Sequence, residues 1–490
     1  MTISSLGLFV ISVLIAEGQG TPKRFPDDFK FGVATSSYQI EGGWNDDGKS
    51  ESIWDRYVHE NPGRIYNKSN ADIACDSYHK SDEDVEMIKT LGVDYYRFSL
   101  SWPRILPYGT TDYVNQKGVE YYRNLIKNLK KNNIEPMVTL FHWDLPQTLQ
   151  DRGGFLNEKI VEWFRDYARL CFQLFGDDVK TWITFNEPKQ TCMMGYGLAI
   201  FPPRVSGHGI LEYKCTYYLL KAHAESWHVY NEEFRQRQKG RISIVVDFSW
   251  WEPMVANNTM FIAAAESGIQ FMSGIYANAI YLGDWPEIVK QRVNERSRKE
   301  GKTVSRLPAF TEEEIARIRG TYDFFGVNFY TSVLAVPNPI PLPSGILNDR
   351  GCLSFQSPKW EGAGSIWLKV TPWGLKKLLK YLKETYNNPE IIITENGYSD
   401  TGELEDDKRI SYIKQHLEVI LEAREEFGVN VTAYTAWSLM DNFEWIIGYR
   451  DRFGLYHVDF TDPERKRTIK KSALYYRDVI KSRCVDGKCE

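Results

Sequence analysis

The chain has 490 residues, of which 42% are hydrophobic and 26% charged, with a formal net charge of −5. That balance describes a soluble globular protein with material for a large core, and the acidic net charge excludes the basic footprint of a nucleic-acid binder. The aromatic share of 14%, with 15 Trp and 29 Tyr, is high; flat apolar faces with a polar tip suit sugar rings as well as cores.

Residues 1–20 read MTISSLGLFVISVLIAEGQG. Leu6 to Ala16 is an apolar run of eleven, the length of a signal-peptide core and too short to span a bilayer. Gly18 and Gly20 offer small-residue cleavage sites, although no positive charge stands near the start. The expectation is a signal peptide over 1–20, a mature domain over 21–490, secretion to an extracellular, gut-lumen or endomembrane compartment, and no membrane partner. Sequons at Asn67, Asn257 and Asn430 fit a secreted glycoprotein. Seven scattered cysteines contain no CxxC pair. Cys171 reads as a buried free thiol; Cys192 with Cys215 and Cys484 with Cys489 are candidate pairs that the sequence leaves open.

Beyond the leader, short β-like runs alternate with longer helical ones. The predicted strands are 29–34, 94–100, 136–141, 181–185, 242–248, 324–329, 390–394 and 431–437. Between them lie stretches with apolar residues three and four apart: Val119, Tyr122, Ile126, Leu129; Ile160, Phe164, Tyr167, Cys171, Leu174; Leu375, Leu378, Leu379, Leu382; and Ile410, Ile413, Leu417, Ile420. Thr311 to Glu314 carries a capping-box pattern. Strand and helix alternating eight times predict one α/β domain, a single (β/α)8 TIM barrel with long βα loops. The stretch 337–343 and the region near Ser357 read as one long loop. The basic run Arg465-Lys466-Arg467 with Lys470-Lys471 reads as a solvated surface. A two-domain doubly wound protein is the runner-up, but no GxGxxG follows a strand.

Active sites of such barrels form at the C-terminal strand ends. Those ends supply Gln39 in YQIEGG, Arg97 in YYRFSL, His142 in FHWD, Asn186 and Glu187 in TFNEP, Asn328 and Tyr330 in GVNFY, Glu395 in ITENG, Trp437, and beyond it Glu444 and Trp445 in WSLMDNFEW. Each alone has a packing explanation. Polar residues at nearly every strand end do not. Glycosidic bonds are broken by paired carboxyl groups, one protonated to serve the leaving oxygen and one ionised. Arg97 near Glu395 favours an anion there, and a less compensated Glu187 keeps its proton. Whether the pair is spaced for retention or inversion is not readable from the residues. His223 and His228 are five apart and miss zinc spacing; no metal or cofactor is expected.

TFNEP with ITENG, together with YQIEGG, FHWDLPQ and WSLMDNFEW, strongly resembles glycoside hydrolase family 1, the β-glucosidase and myrosinase family, and most of all its insect members. The resemblance covers roughly residues 25–480. It implies a (β/α)8 barrel acting with retention on a small-molecule β-glucoside, with Glu187 as acid/base and Glu395 as nucleophile. It also implies Asn186 on the sugar 2-hydroxyl, Arg97 and Tyr330 flanking the nucleophile, Gln39, His142, Glu444 and Trp445 on the glycone hydroxyls, and Trp437 under the ring. Phe453 is the candidate for the residue near the sugar O6 that tunes the choice among glucose, galactose and fucose. The alternative is a thioglucosidase acting on glucosinolates. Plant myrosinases replace the acid/base Glu by Gln, whereas insect thioglucosidases keep both glutamates, so Glu187 does not decide. Lys189 reads first as a solvated loop lysine and second as a holder of an aglycone sulfate, and the neutral Thr331-Ser332-Val333 offers no second cation. A remoter alternative is a non-catalytic sugar-binding member. The aglycone, glucose against galactose or fucose, and a monomer against a homo-oligomer stay open.

Overall fold

The computed structural model describes residues 23–207, 209–340 and 343–489; the expected signal segment 1–20 lies outside them. Eight parallel strands close into a barrel: β1 (Lys30–Ala34), β2 (Tyr95–Ser99), β3 (Glu135–Phe141), β4 (Thr181–Asn186), β5 (Arg241–Pro253), β6 (Phe325–Pro337), β7 (Ile391–Asn396) and β8 (Val431–Trp437). Each pairs with the next in sequence and β8 closes on β1. The outer layer is α1 (Ser77–Leu91), α2 (Gln116–Lys131), α3 (Ile160–Phe175), α4 (Leu211–Val229), α5 (Thr259–Ile269), α6 (Pro372–Thr385), α7 (Asp407–Phe427) and α8 (Lys471–Ser482). The predicted barrel is therefore the fold.

The strands are largely buried because both faces are covered, one by helices and one by the barrel interior. On α3, Ile160, Phe164, Tyr167 and Cys171 are buried, and on α6 Leu375, Leu378, Leu379 and Leu382. The 3.6-residue spacing turned these stripes onto the sheet. Thr311 and Glu314 form the expected capping box.

Inside the barrel, Tyr95, Met137, Ile183, Val245, Phe324, Ile392 and Ala433 form a separate apolar floor. The eighth position is Gly32 on β1, where a Cβ would stand 2.2 Å from the Tyr95 ring; the ring occupies that space. Two residues along β2 and β3 from the floor come Arg97 and Thr139, and the interior turns polar.

Several expectations need correction. β5 and β6 overrun the barrel, pairing as far as Pro253 with Ala335, and a short antiparallel strand, Cys352–Phe355, adds to β6. The expected long loop thus contains that strand and a helical turn, Ile346–Asp349. The basic run is only partly a solvated surface: Lys466 and Lys471 are exposed, but Arg467 and Lys470 turn inward. Arg467 pairs with Asp84 at 3.0 Å with its side chain 2% exposed, and Lys470, wholly buried, pairs with Asp441 at 2.9 Å. The short hairpin of strands Tyr456–Val458 and Arg467–Ile469 folds these cations inward, onto acids from distant segments. Ile410 is half-buried, and its neighbour Arg409 takes the buried position.

Cys192 and Cys215 form a disulfide, as do Cys484 and Cys489. Cys75, Cys171 and Cys352 are buried free thiols. Asn67, Asn257 and Asn430 are all exposed. Among the described residues no helix is long and apolar enough to cross a membrane.

Candidate active site

The polar layer begins with Arg97, which shares the inner face of β2 with Tyr95 because it stands two residues further along the strand. Its Nη1 donates to Glu395 Oε1 at 2.7 Å and to the Thr394 carbonyl at 2.8 Å; its Nη2 donates to Asn186 Oδ1 at 2.6 Å. A guanidinium only donates, so Asn186 must turn its oxygen toward Arg97. Its amide nitrogen then faces His142 Nε2 at 3.1 Å. That nitrogen has to accept, which puts the ring proton on Nδ1. Nδ1 is buried and has no protein partner. Burial and then the Arg97 charge hold His142 well below its ordinary pKa, so the ring is neutral. One arginine thereby fixes an amide, a tautomer and a free donor.

Glu395 receives a second bond on its other oxygen, from the Tyr330 hydroxyl at 2.8 Å. Glu187 is held differently. Its Oε1 accepts from Asn328 Nδ2 at 2.7 Å, an amide that also reaches Asn186 Oδ1 at 3.1 Å. Its backbone N–H donates to the Val245 carbonyl on the adjoining strand β5 at 3.0 Å, and its φ is +47°. Trp143 (φ +75°) and Trp445 (φ +52°) share this left-handed conformation, which costs a non-glycine residue ~1–2 kcal/mol. Register shifts mark the ends of β4, β6 and β7 where these carboxyl and amide groups emerge.

Burial pushes both carboxyls up. For Glu395 this is opposed by Arg97 and Tyr330. For Glu187, Asp247 and Glu395 push further in the same direction against Asn328 and Lys189, and it stands well above the carboxylate range. The two acids are thus driven apart, Glu187 toward its protonated form.

Around them, Gln39 accepts from Ser36 Oγ at 2.6 Å and donates to the Phe443 carbonyl at 2.9 Å and to Asn442 at 3.0 Å. Glu444 Oε2 lies 3.4 Å from the same amide nitrogen. Burial, Asp451 and Glu395 raise the Glu444 carboxyl to about 8. The Trp437 ring faces His142, with centroids 5.9 Å apart and 20° between planes. Trp445 packs among Tyr38, Trp54 and Trp143. Phe453 meets the edge of the Tyr330 ring at 6.0 Å.

The expected set therefore converges, with Lys189 as the exception to its preferred reading. It is not a solvated lysine. Its Nζ pairs with Asp247, both side chains being about nine-tenths buried, so its charge is already matched by a carboxylate. The sequons lie elsewhere. Asn430 directly precedes β8, at the opposite end of the strands.

Sequence reading missed Asp247, at the inner end of the β5 barrel segment. The acid in IVVDF is a visible signal, passed over because no strand-five residue entered the set. It also missed Trp367, 5.6 Å from the Tyr330 ring and 6.4 Å from that of Phe453; that residue comes from a loop without periodicity. Among the described residues no cluster of three or more His, Cys, Asp or Glu side chains is arranged to hold a metal. His223 is tied to Thr184 and the Thr321 carbonyl, both at 2.7 Å.

A parallel barrel bearing two buried carboxyls among amide, imidazole and aromatic groups at its strand ends belongs with the glycoside hydrolases. Residues 21–485 match the model of glycosyl hydrolase family 1. The chain is 46% identical to the cytosolic beta-glucosidase of Homo sapiens over 462 residues, 94% of this chain and 98% of that protein. It is 45% identical to Myrosinase 1 of Brevicoryne brassicae over 458 residues, 93% and 98% of the two chains. A solved aphid myrosinase superposes with a TM-score of 0.91 at 44% identity, covering 95% of this chain and all of that one. This protein is a member of glycosyl hydrolase family 1, and its activity is that of a glycoside hydrolase acting on small glycosides.

Proposed function

We propose that this enzyme is a retaining β-glucosidase in which Glu187 is the acid/base and Glu395 the nucleophile. The observation that carries the assignment is the asymmetry of support. Glu395 has a guanidinium on one oxygen and a phenol on the other, whereas Glu187 has a single amide and a second acid, Asp247, beside it.

In the first step the Glu395 carboxylate forms a bond to the anomeric carbon. The glycosidic C–O bond breaks as the Glu187 carboxyl gives its proton to the departing oxygen, releasing the aglycone as an alcohol. In the second step water attacks the same carbon and passes a proton to the Glu187 carboxylate. The ester bond to Glu395 breaks, returning its carboxylate and β-glucose. Asn186 reaches the 2-hydroxyl, His142 donates from Nδ1, Gln39, Glu444 and Trp445 meet the remaining hydroxyls, and Trp437 lies under the ring.

Trapping with a 2-deoxy-2-fluoro β-glucoside tests this reading. A 2-deoxy-2-fluoroglucosyl mass increment on the peptide carrying Glu395, and none on Glu395→Gln, is the expected result. Inverted product by NMR, or unimpaired turnover by Glu395→Gln, overturns it.

Thioglucosidase action is the second reading, favoured by the likeness to Myrosinase 1 and weakened by the pairing of Lys189 with Asp247. A turnover panel of aryl β-glucoside, cellobiose and a glucosinolate decides between them, glucosinolate dominance promoting the second. A non-catalytic role fits poorly with both glutamates in place. Secretion is supported by the apolar run Leu6–Ala16, by two disulfides and by three exposed sequons. Mass analysis of culture medium from expressing cells, with and without glycosidase treatment, tests export and glycan occupancy together.

A further inference from the structure

The last two residues of interest at the fourth strand end, Lys189 and its partner on β5, have no role in the reaction as written. Lys189 is two residues beyond Glu187, and its ammonium pairs with Asp247 Oδ2. Gln190 Nε2 donates to the same oxygen at 3.1 Å. Asp247 Oδ1 is buried and has no protein partner. The Asp247 backbone is pinned by Ser273, whose hydroxyl donates to its carbonyl at 2.7 Å. In the barrel register Asp247 lies directly opposite Asn328, the residue whose amide holds Glu187 Oε1. Asp247 is thus fixed from behind by α5's continuation, matched from one side by Lys189, and placed one strand from the Asn328 amide that holds the Glu187 carboxyl.

From this geometry we propose that Lys189 and Asp247 form a positioning pair that sets how tightly Glu187 holds its proton, with the Asp247 anion strengthening the hold and the Lys189 cation moderating it. The proposal rests on the reading of Glu187 as the acid/base. Neither residue meets the reacting atoms.

The other charged and titratable groups around Glu187 do not supply the same control. Glu395 on β7 adds a like charge, but it is consumed as an ester during the cycle, when Glu187 must act as a base. Tyr330 on β6 is committed to Glu395. Arg97 on β2 and the neutral His142 on β3 bond the Asn186 side chain and not the Glu187 carboxyl. Asp247 is the carboxylate that remains beside Glu187 unesterified through both steps, and after burial it is the strongest influence raising the Glu187 carboxyl. An anion within ~4–6 Å of an acid is worth about one pKa unit or more. An ion pair with one adjustable partner is a direct means of tuning that influence, because the cation alters the field without touching the substrate.

The experiment is the pH dependence of kcat/KM on an aryl β-glucoside with a poor leaving group, for the full-length enzyme and four variants. The basic limb reports the group that must be protonated. In Asp247→Asn the limb is expected to move to lower pH by about one unit, because an anion is removed and Lys189 is left unmatched. In Lys189→Met it is expected to move to higher pH, since the Asp247 charge is no longer moderated. The double variant, lacking both charges, is expected to fall between the two, as two shifts of opposite sign should when added. Glu187→Gln separates the two levels of the argument. Loss of the basic limb in that variant ties the limb to Glu187, and its persistence overturns the acid/base reading itself. If the limb vanishes in Glu187→Gln but stays unmoved in both Asp247→Asn and Lys189→Met, only the tuning proposal falls. Shifts of the same sign in the two single variants likewise overturn it, since a merely structural role would disturb both alike.

Discussion

Arg97 and Glu395 meet at 2.7 Å with their side chains only 2% and 5% exposed. An ion pair so deep in the barrel is costly to break on one side alone, because the surviving charge is left without solvent or partner; such truncations cost ~3–5 kcal/mol. Arg97→Met is therefore expected to raise the pKa of Glu395 and move the acidic limb of kcat/KM upward, with kcat falling by a hundredfold or more on the order of magnitude of a lost electrostatic contact. The amide and imidazole that Arg97 orients should lose their order too. A pH–rate profile in which the acidic limb stays in place would remove Arg97 from this role.

Tyr330 contributes a single hydroxyl to the other oxygen of Glu395. A hydrogen bond to a charged group is worth ~1.5–3 kcal/mol, so Tyr330→Phe should lower kcat/KM by roughly ten- to a hundredfold and shift the acidic limb the same way as Arg97→Met, but less. Thermal unfolding should barely change, since the ring and its contact with Phe453 survive. Comparing both variants in the same buffer series checks the order.

Glu444 gives a different pH signature. Burial, Asp451 and Glu395 raise its carboxyl to about 8, so in the empty site it is protonated at neutral pH. Sugar hydroxyls donate more strongly to a carboxylate than to a carboxylic acid. Binding therefore favours the ionised form, and affinity for glucose or a neutral glucose-like competitor should rise as pH climbs toward 8 and then level. Glu444→Gln should bind more weakly and show no such rise. Calorimetric titrations across that range supply the test.

Lys470 and Asp441 lie beneath the loop that carries Glu444 and Trp445. Burial pushes the Asp441 carboxyl up, but Lys470, the His457 ring 3.3 Å away and Arg409 outweigh it and bring it to about 2, below its ordinary 3.8. A carboxyl depressed on folding contributes stability above its unfolded pKa and loses it as pH falls through the folded one. This contribution is thus intact above roughly pH 4 and fades toward pH 2. Lys470→Met should destabilise by ~3–5 kcal/mol, seen as a lowered denaturation midpoint at neutral pH. Adding Asp441→Asn should recover part of the loss. Weaker glycone binding should accompany the single variant, because Asp441 precedes Asn442, which anchors Gln39.

Much of this was readable beforehand, and the reasons differ by residue. Glu187 and Glu395 were legible as a pair, because one carboxylate at a strand end has a packing explanation but polar residues at nearly every strand end do not. Stripes such as Ile160, Phe164, Tyr167 and Cys171 were legible because a helix packed on a sheet must repeat its apolar face every three to four residues. Asp247 was visible and overlooked. Lys189, Arg467 and Lys470 were misread because a basic side chain is solvated by default, and only a partner brought in by the fold reverses that. Those partners are 58, 383 and 29 residues away along the chain. The overrun of β5 and β6 had no warning either, since a strand's length is set by what pairs with it.

The sequence by itself determined the alternation of strand and helix, the closed parallel barrel that follows from it, and the list of polar groups delivered to the strand ends. Those are local properties, fixed by side-chain period and by the chain's passage from one element to the next. Tertiary structure decided how the delivered groups divide the work. Which carboxyl is doubly held, which way the Asn186 amide turns, which nitrogen of His142 bears its proton and whether a lysine is free or paired all depend on distances across the barrel. Electrostatic and hydrogen-bonding energies fall off within a few ångströms, and no spacing along the chain encodes a contact that closes only when the eighth strand meets the first.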